Sequence, residues 1–117
     1  MPPRKFDNPT AGYVFRDYQR WARIRGHVFE IDYNRFVELT SQNCVYCHAP
    51  PRKTVHTRGH EFNYNGIDRM DNDEGYTEEN IVPCCFICNK AKNNMTHQEF
   101  IDYLYDVWRA VNIEEAI

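Results

Sequence analysis

The most regular apolar pattern in the chain lies near its end. Phe100, Ile101, Leu104, Val107, Trp108 and Val111 recur at the spacing of one helical face, and Thr96 with Glu99 forms a capping box ahead of them. We expect a helix from Thr96 to about Val111, with this stripe in the core. A second helical pattern runs from Thr10, as cap, to about Arg25, and Gly26 ends it. Val14, Tyr18, Trp21 and Arg25 share one stripe of it. Arg16, Arg20 and Arg23 share another, which is either a solvated surface or a phosphate-tracking face. Pro2, Pro3 and Pro9 make residues 1–9 a loose tail.

The middle of the chain alternates instead. HVFEI, residues 27–31, reads as a short strand, and a helix from Asp32 or Tyr33 to Thr40 turns Phe36, Val37 and Leu39 inward. RKTVHTRGH, residues 52–60, reads as a basic loop. Glu61 to Asp68 reads as a strand built on Phe62, Tyr64 and Ile67, and NDEG at 72–75 makes a turn. Asn80 to Cys84 returns as a second strand, and Phe86 to Lys92 forms a short helix. The fold class is therefore α+β, a single domain over residues 1–117: tail 1–9, basic helical region 10–43, core 44–92 and terminal helix 96–111.

Composition narrows the function classes. No apolar run approaches the roughly 20 residues of a membrane helix. MPPRKFDNPTAG lacks an apolar signal region, so a cytoplasmic location is expected, in a host cell if the gene is a phage's. Net charge is −3, but it is unevenly spread. Residues 1–60 carry ten Lys and Arg against five acids, and residues 61–117 carry four against twelve. Those halves stand at +5 and −8. A basic half for phosphates and an acidic half for a metal is one reading of such asymmetry.

Five cysteines without a signal segment argue against a disulfide framework. Four form two CxxC pairs, Cys44 with Cys47 and Cys85 with Cys88, separated by 37 residues. Each pair can present two thiolates to one Zn²⁺, and four thiolates leave no open position, so this zinc is structural. In a small domain its binding energy becomes folding energy. Pairing Cys84 with Cys88 would break the matched spacing, which leaves Cys84 as a core residue or a spare thiol.

The stretch NGIDRMDNDEGYTEENIVPCCFICNKAK, residues 65–92, resembles the HNH nuclease module in its small zinc-bearing form, common among phage and restriction-type endonucleases. D-R, G-Y, E-N and C-x2-C-N-x2-K occur in that order, and the likeness extends from about Cys44 to Lys92. RGHVFEIDYNRF upstream and MTHQEF downstream also look like that group. The resemblance implies a ββα-metal fold clamping one divalent ion, Mg²⁺ or Mn²⁺. Asp68 and Asn89 would be its ligands, and Asn80 would brace the loop by hydrogen bonds. Lys92 would reach a phosphate. Two protein ligands leave room for substrate and water, and hard oxygen suits a cation that sulfur does not. Asp71 and Asp73 read as turn formers, and Glu78 and Glu79 as a solvated face.

One position departs from the family. Arg69 stands where the family has the histidine that activates water, and a guanidinium is a poor base. Arg69 would hold the phosphate while Tyr64, His56 or His60 takes the proton; or water loses its proton without a dedicated side chain; or the module only binds DNA. His27, His48 and His97 look less suitable. Arg16, Arg20, Arg23, Arg52, Lys53 and Arg58 are the candidate contacts to double-stranded DNA. The expected activity is metal-dependent phosphodiester hydrolysis, nicking as a monomer, with a homodimer as one route to a double-strand break. The rivals are a non-catalytic zinc-ribbon nucleic-acid adaptor and a structural component.

Overall fold

Helix α1 spans Pro9–Ile24 in the computed structural model, which describes residues 7–113. Residues 1–6 of the expected tail lie outside the described residues. The start corrects the expected cap. Asn8, not Thr10, closes the helix, its Oδ1 accepting from the amides of Thr10 and Ala11 at 2.9 and 3.2 Å. Pro9 then occupies the first helical turn, where its missing N–H costs nothing. Thr10 is buried, and its hydroxyl bonds that of Thr57 at 2.6 Å. Helix α2, Tyr33–Thr40, is capped by Asp32, whose side chain accepts from the amide of Arg35.

HVFEI forms no strand. Its β-pairing among the described residues is one isolated parallel bridge, Phe29 beside Tyr76. The amide of Glu30 donates to the carbonyl of Tyr76, and the amide of Tyr76 to that of Val28, each at 2.8 Å. Gly75 permits this approach, since a Cβ there would lie 2.7 Å from the carbonyl oxygen of Val28.

The basic loop is also corrected, to a strand. Strands β1, Lys53–Thr57, and β2, His60–Tyr64, form an antiparallel hairpin with Thr57 opposite His60. Arg58 and Gly59 turn it with φ of 37° and 84°. Two positive φ values in a two-residue loop match the natural twist of a hairpin. The single strand expected over 61–68 is two strands, because Asn65 leaves the ladder. Its amide donates to the carbonyl of Thr40 at 2.8 Å, and its side chain donates to the carbonyls of Gln42 and Ala49. Strand β3 resumes at Gly66–Arg69 and pairs antiparallel with β4, Ile81–Cys84, setting Asp68 opposite Val82. Helix α3, Phe86–Lys92, follows, and β3, β4 and α3 make the ββα unit.

Ala11, Phe15, Phe36, Leu39, Phe62, Tyr64 and Ile67 belong to one buried cluster, under α1. Cys44, Cys84, Cys85, Cys88 and Phe100 form a second. Helix α4, His97–Val111, has the capping box read from the sequence, yet its stripe is not core. Phe100 is buried and Leu104 packs partly against the cysteines, but Ile101, Val107, Trp108 and Val111 are exposed. Among the described residues only its first turns pack against the cysteine cluster. Among the described residues no helix is long and apolar enough to cross a membrane.

Candidate metal and active site

The two CxxC turns converge. One begins where the amide of Cys44 meets the carbonyl of Ala49, and the amide of Val45 fastens it to the carbonyl of Pro83 on β4. The other opens α3, with the Cys85 sulfur accepting from the amide of Cys88 at 3.4 Å. The sulfurs of Cys44, Cys47, Cys85 and Cys88 all lie within 4.8 Å of one another, and those of Cys47 and Cys85 are 3.7 Å apart. Sulfurs bound at about 2.3 Å around a tetrahedral zinc stand about 3.8 Å apart, so the four cysteines fit that ion.

Charge makes the same point. Burial pushes the Cys85 and Cys88 thiols up. At Cys44 burial acts the same way but is outweighed by the amides of Cys47, Cys85 and Tyr46, and the thiol falls to about 7. A cluster that resists holding several thiolates by itself accepts them around a dication. Cys84 lies outside the set, buried, its sulfur donating to the carbonyl of Cys85.

Next to the sulfurs lies a polar cleft of about 380 Å³. Asp68 from β3 and Asn89 from α3 both line it, with Arg25, Arg69, Asn72 and Tyr76. The cleft thus gathers a carboxylate, an amide and two guanidiniums from β3, α3 and the turn after α1. A carboxylate and an amide oxygen are hard donors, and the cleft is open beside them, so the residues fit a Mg²⁺- or Mn²⁺-type ion. A second cavity of about 470 Å³ adjoins it. Arg25, Ile67, Tyr76 and Asn89 line both, and Tyr18, Trp21, Lys53 and Tyr64 extend the groove between α1 and the hairpin.

Asp68 is nearly buried and held at both oxygens. Oδ2 accepts from the Tyr46 hydroxyl at 2.8 Å, and Oδ1 lies 3.3 Å from the ammonium of Lys92. Lys92 is fully buried, and its Nζ also donates to the carbonyl of Arg69. This corrects its reading as a phosphate contact: an ammonium enclosed behind a carboxylate has no route to the surface. Asn80 is buried and spans the 71–75 loop. Its Oδ1 accepts from the amide of Asp71, and its Nδ2 donates to the carbonyls of Asp71 and Gly75. Arg69 gives Nη1 to the carbonyls of Asn72 and Glu74 and lays its guanidinium over the Tyr76 ring, 5.6 Å from the centroid.

The three side chains expected as bases separate. His56 and His60 are exposed on the hairpin and line neither cavity. Tyr64 lines the adjoining cavity, buried, and burial raises its phenol pKa above the ordinary value. His27, less suitable by sequence, lines neither cavity but neighbours Tyr76, which lines both. Its ring stands 6.4 Å from that of Tyr76, and burial, then Arg69 and Arg25, lower its pKa. Tyr46 and His97 were also missed. Their signal was adjacency alone: Tyr46 lies inside the first CxxC, and His97 opens α4.

Arg16, Arg20 and Arg23 are exposed along α1, with Arg20 paired to Asp17 at 2.5 Å and stacked on Trp21. Arg52, Lys53 and Arg58 are exposed on and before the hairpin.

Fold and site together define an α+β protein with the ββα architecture of HNH endonucleases and a cluster of four cysteines that fits a zinc ion. The solved structure of PacI, a rare-cutting HNH restriction endonuclease, superposes on it with a TM-score of 0.62, covering 92% of this chain and 82% of that one at 24% identity. The chain is also 33% identical over 94 residues to the uncharacterised protein R423 of Acanthamoeba polyphaga mimivirus, which covers 80% of this chain. It spans only 16% of that relative's length. No family model matches the chain.

Proposed function

We propose that the chain is a metal-dependent endonuclease that hydrolyses phosphodiester bonds in double-stranded DNA. The observation that carries this reading is the convergence of Asp68 and Asn89 on one open polar cleft that Arg25 and Arg69 also line, in a fold shared with an HNH restriction endonuclease. Asp68 and Asn89 would hold Mg²⁺ or Mn²⁺. Such an ion, when bound, polarises the phosphate and neutralises charge on the leaving oxygen.

The chain's own residues supply the rest. Arg69 cannot act as a base, but the loop carbonyls occupy only its Nη1, leaving Nε and Nη2 for phosphate oxygens. Arg25, which lines the same cleft, takes the same charge. His27 is the proton acceptor, because an imidazole kept neutral by burial, and then by Arg69 and Arg25, is the form that can accept. Tyr64 forms the groove's floor. The groove leads between α1 and the hairpin, so Arg16, Arg20, Arg23, Arg52, Lys53 and Arg58 anchor the backbone without reading bases. One cleft per chain nicks a strand; a double-strand break takes a homodimer or a second encounter.

Supercoiled plasmid incubated with protein and Mg²⁺ or Mn²⁺ tests this. Wild type should open the plasmid, Asp68→Ala should not, and His27→Ala should lose turnover while His56→Ala and His60→Ala keep it. An inactive wild type that still retards DNA in a gel would replace the nuclease with a zinc-ribbon adaptor.

A further inference from the structure

We propose that Tyr46 is a positioning residue that ties the zinc knuckle to Asp68, so that the four-sulfur site sets the orientation of the carboxylate offered to the working cation. The inference rests on the nuclease reading above and concerns how its metal ligands are held.

Tyr46 lies between Cys44 and Cys47, so its backbone is part of the sulfur site itself. Its ring packs edge-on to Phe100, centroids 4.9 Å apart, within the cluster that surrounds the cysteines. From there its hydroxyl reaches Asp68 Oδ2 at 2.8 Å. The same oxygen lies 2.8 Å from Nδ1 of His97. A phenol has one proton, and a carboxylate can only accept, so the hydroxyl donates to Asp68 and must accept from His97. The protons therefore run one way, from His97 Nδ1–H to the Tyr46 oxygen and from the Tyr46 hydroxyl to Asp68, and each bond polarises the next. His97 is fixed in turn, its amide donating to the carbonyl of Met70 just beyond β3.

Lys92 holds the other carboxylate oxygen from behind. Each oxygen has two acceptor directions, so one remains on each toward the cleft. Asn89 needs no such relay, because it directly follows Cys88. Both hard donors are thus referred to the sulfur site, one along the chain and one through a single hydroxyl. Partners that orient metal-binding side chains commonly change metal affinity by about 10- to 100-fold when removed.

Tyr46→Phe removes the hydroxyl and keeps the ring. Free Mn²⁺ measured by electron paramagnetic resonance during titration reads the affinity of the cleft, elemental analysis reads the zinc, and thermal unfolding reads the fold. Tyr46→Phe should keep its zinc and melting temperature while Mn²⁺ affinity falls about tenfold. His97→Ala, which frees the hydroxyl to rotate, should shift affinity the same way by less. Wild-type affinity in a zinc-loaded Tyr46→Phe protein would overturn the proposal. If Tyr46→Phe loses zinc, His97→Ala decides, and unchanged affinity there overturns it equally. Mn²⁺ binding that survives Asp68→Ala would remove the metal-site reading, and this inference with it. Asp68-dependent Mn²⁺ binding without DNA cleavage would remove only the nuclease reading.

Discussion

The ammonium of Lys92 lies 3.3 Å from Oδ1 of Asp68, and neither side chain is more than a few per cent exposed. The relationship reverses what spacing alone implies for a lysine one turn after Asn89. A buried charge needs a partner at hand, and this one is matched to the carboxylate that faces the cleft. Lys92 therefore holds Asp68 in place before any cation arrives.

Removing one member of that pair leaves the other stranded. Lys92→Met should cost about 3–5 kcal/mol of stability, the usual result of exposing an uncompensated buried charge. The double variant Lys92→Met with Asp68→Asn should lose less than Lys92→Met alone, since the stranded carboxylate is gone. Urea unfolding of the three proteins measures the difference. Equal losses in both variants would mean that the lysine contributes through packing rather than charge.

Zinc uptake should release protons and weaken in acid. Ligating sulfur must be thiolate, and burial keeps Cys85 and Cys88 protonated. Cys44, at about 7, contributes least to the release. As pH falls, protons compete with zinc at every ligand, so affinity falls with it. Competition with a chelator at about pH 6, well below the ordinary thiol range, and at about pH 8, close to it, should show tighter zinc at the higher pH. Elemental analysis should give about one zinc per chain. Identical affinity at both values would rule out thiolate ligation.

The basic surface should act through phosphates. Arg52→Ala, Lys53→Ala and Arg58→Ala should each weaken DNA binding alike across unrelated sequences. Each should also lower the slope of log affinity against log salt by about one. Fluorescence anisotropy across a salt series measures both. A variant that changes affinity for one sequence only would be reading bases.

Helix α4 offers a sharp contrast in stability. Phe100 is fully buried beside the cysteines, and Trp108 is 59% exposed. Phe100→Ala should cost about 3–5 kcal/mol through the lost contact and the cavity. Trp108→Ala should fall within about 0.5 kcal/mol, as isolated surface changes do. Thermal or urea unfolding separates them. A large loss at Trp108 would mean that this face is covered in solution.

Much of the site was legible because its residues are local in the chain. Two CxxC pairs announce a sulfur site by spacing alone, and Asn89 is placed by its neighbour Cys88. Thr96 and Glu99 predict their own cap, since both ends of that interaction lie within one helical turn. The hairpin was missed though its signs were present: KTVHT and HEFNY alternate around a two-residue turn, but Arg58 in place of Asn or Gly hid it. The break at Asn65 was written in the slip of phase from Phe62 and Tyr64 to Ile67.

What the order of residues determined by itself was the local chemistry: the helices and their caps, the knuckles, and the hard donors in the D-R and C-N positions. Only the tertiary structure decided which groups face one another. Lys92 turned inward, His27 came beside Tyr76, Tyr46 reached Asp68 with His97 behind it, and the outer half of α4 stayed exposed among the described residues. The reason is that period and propensity act over a few residues. Burial and the meeting of distant charges depend on where the whole chain packs, and a one-dimensional pattern does not carry that information.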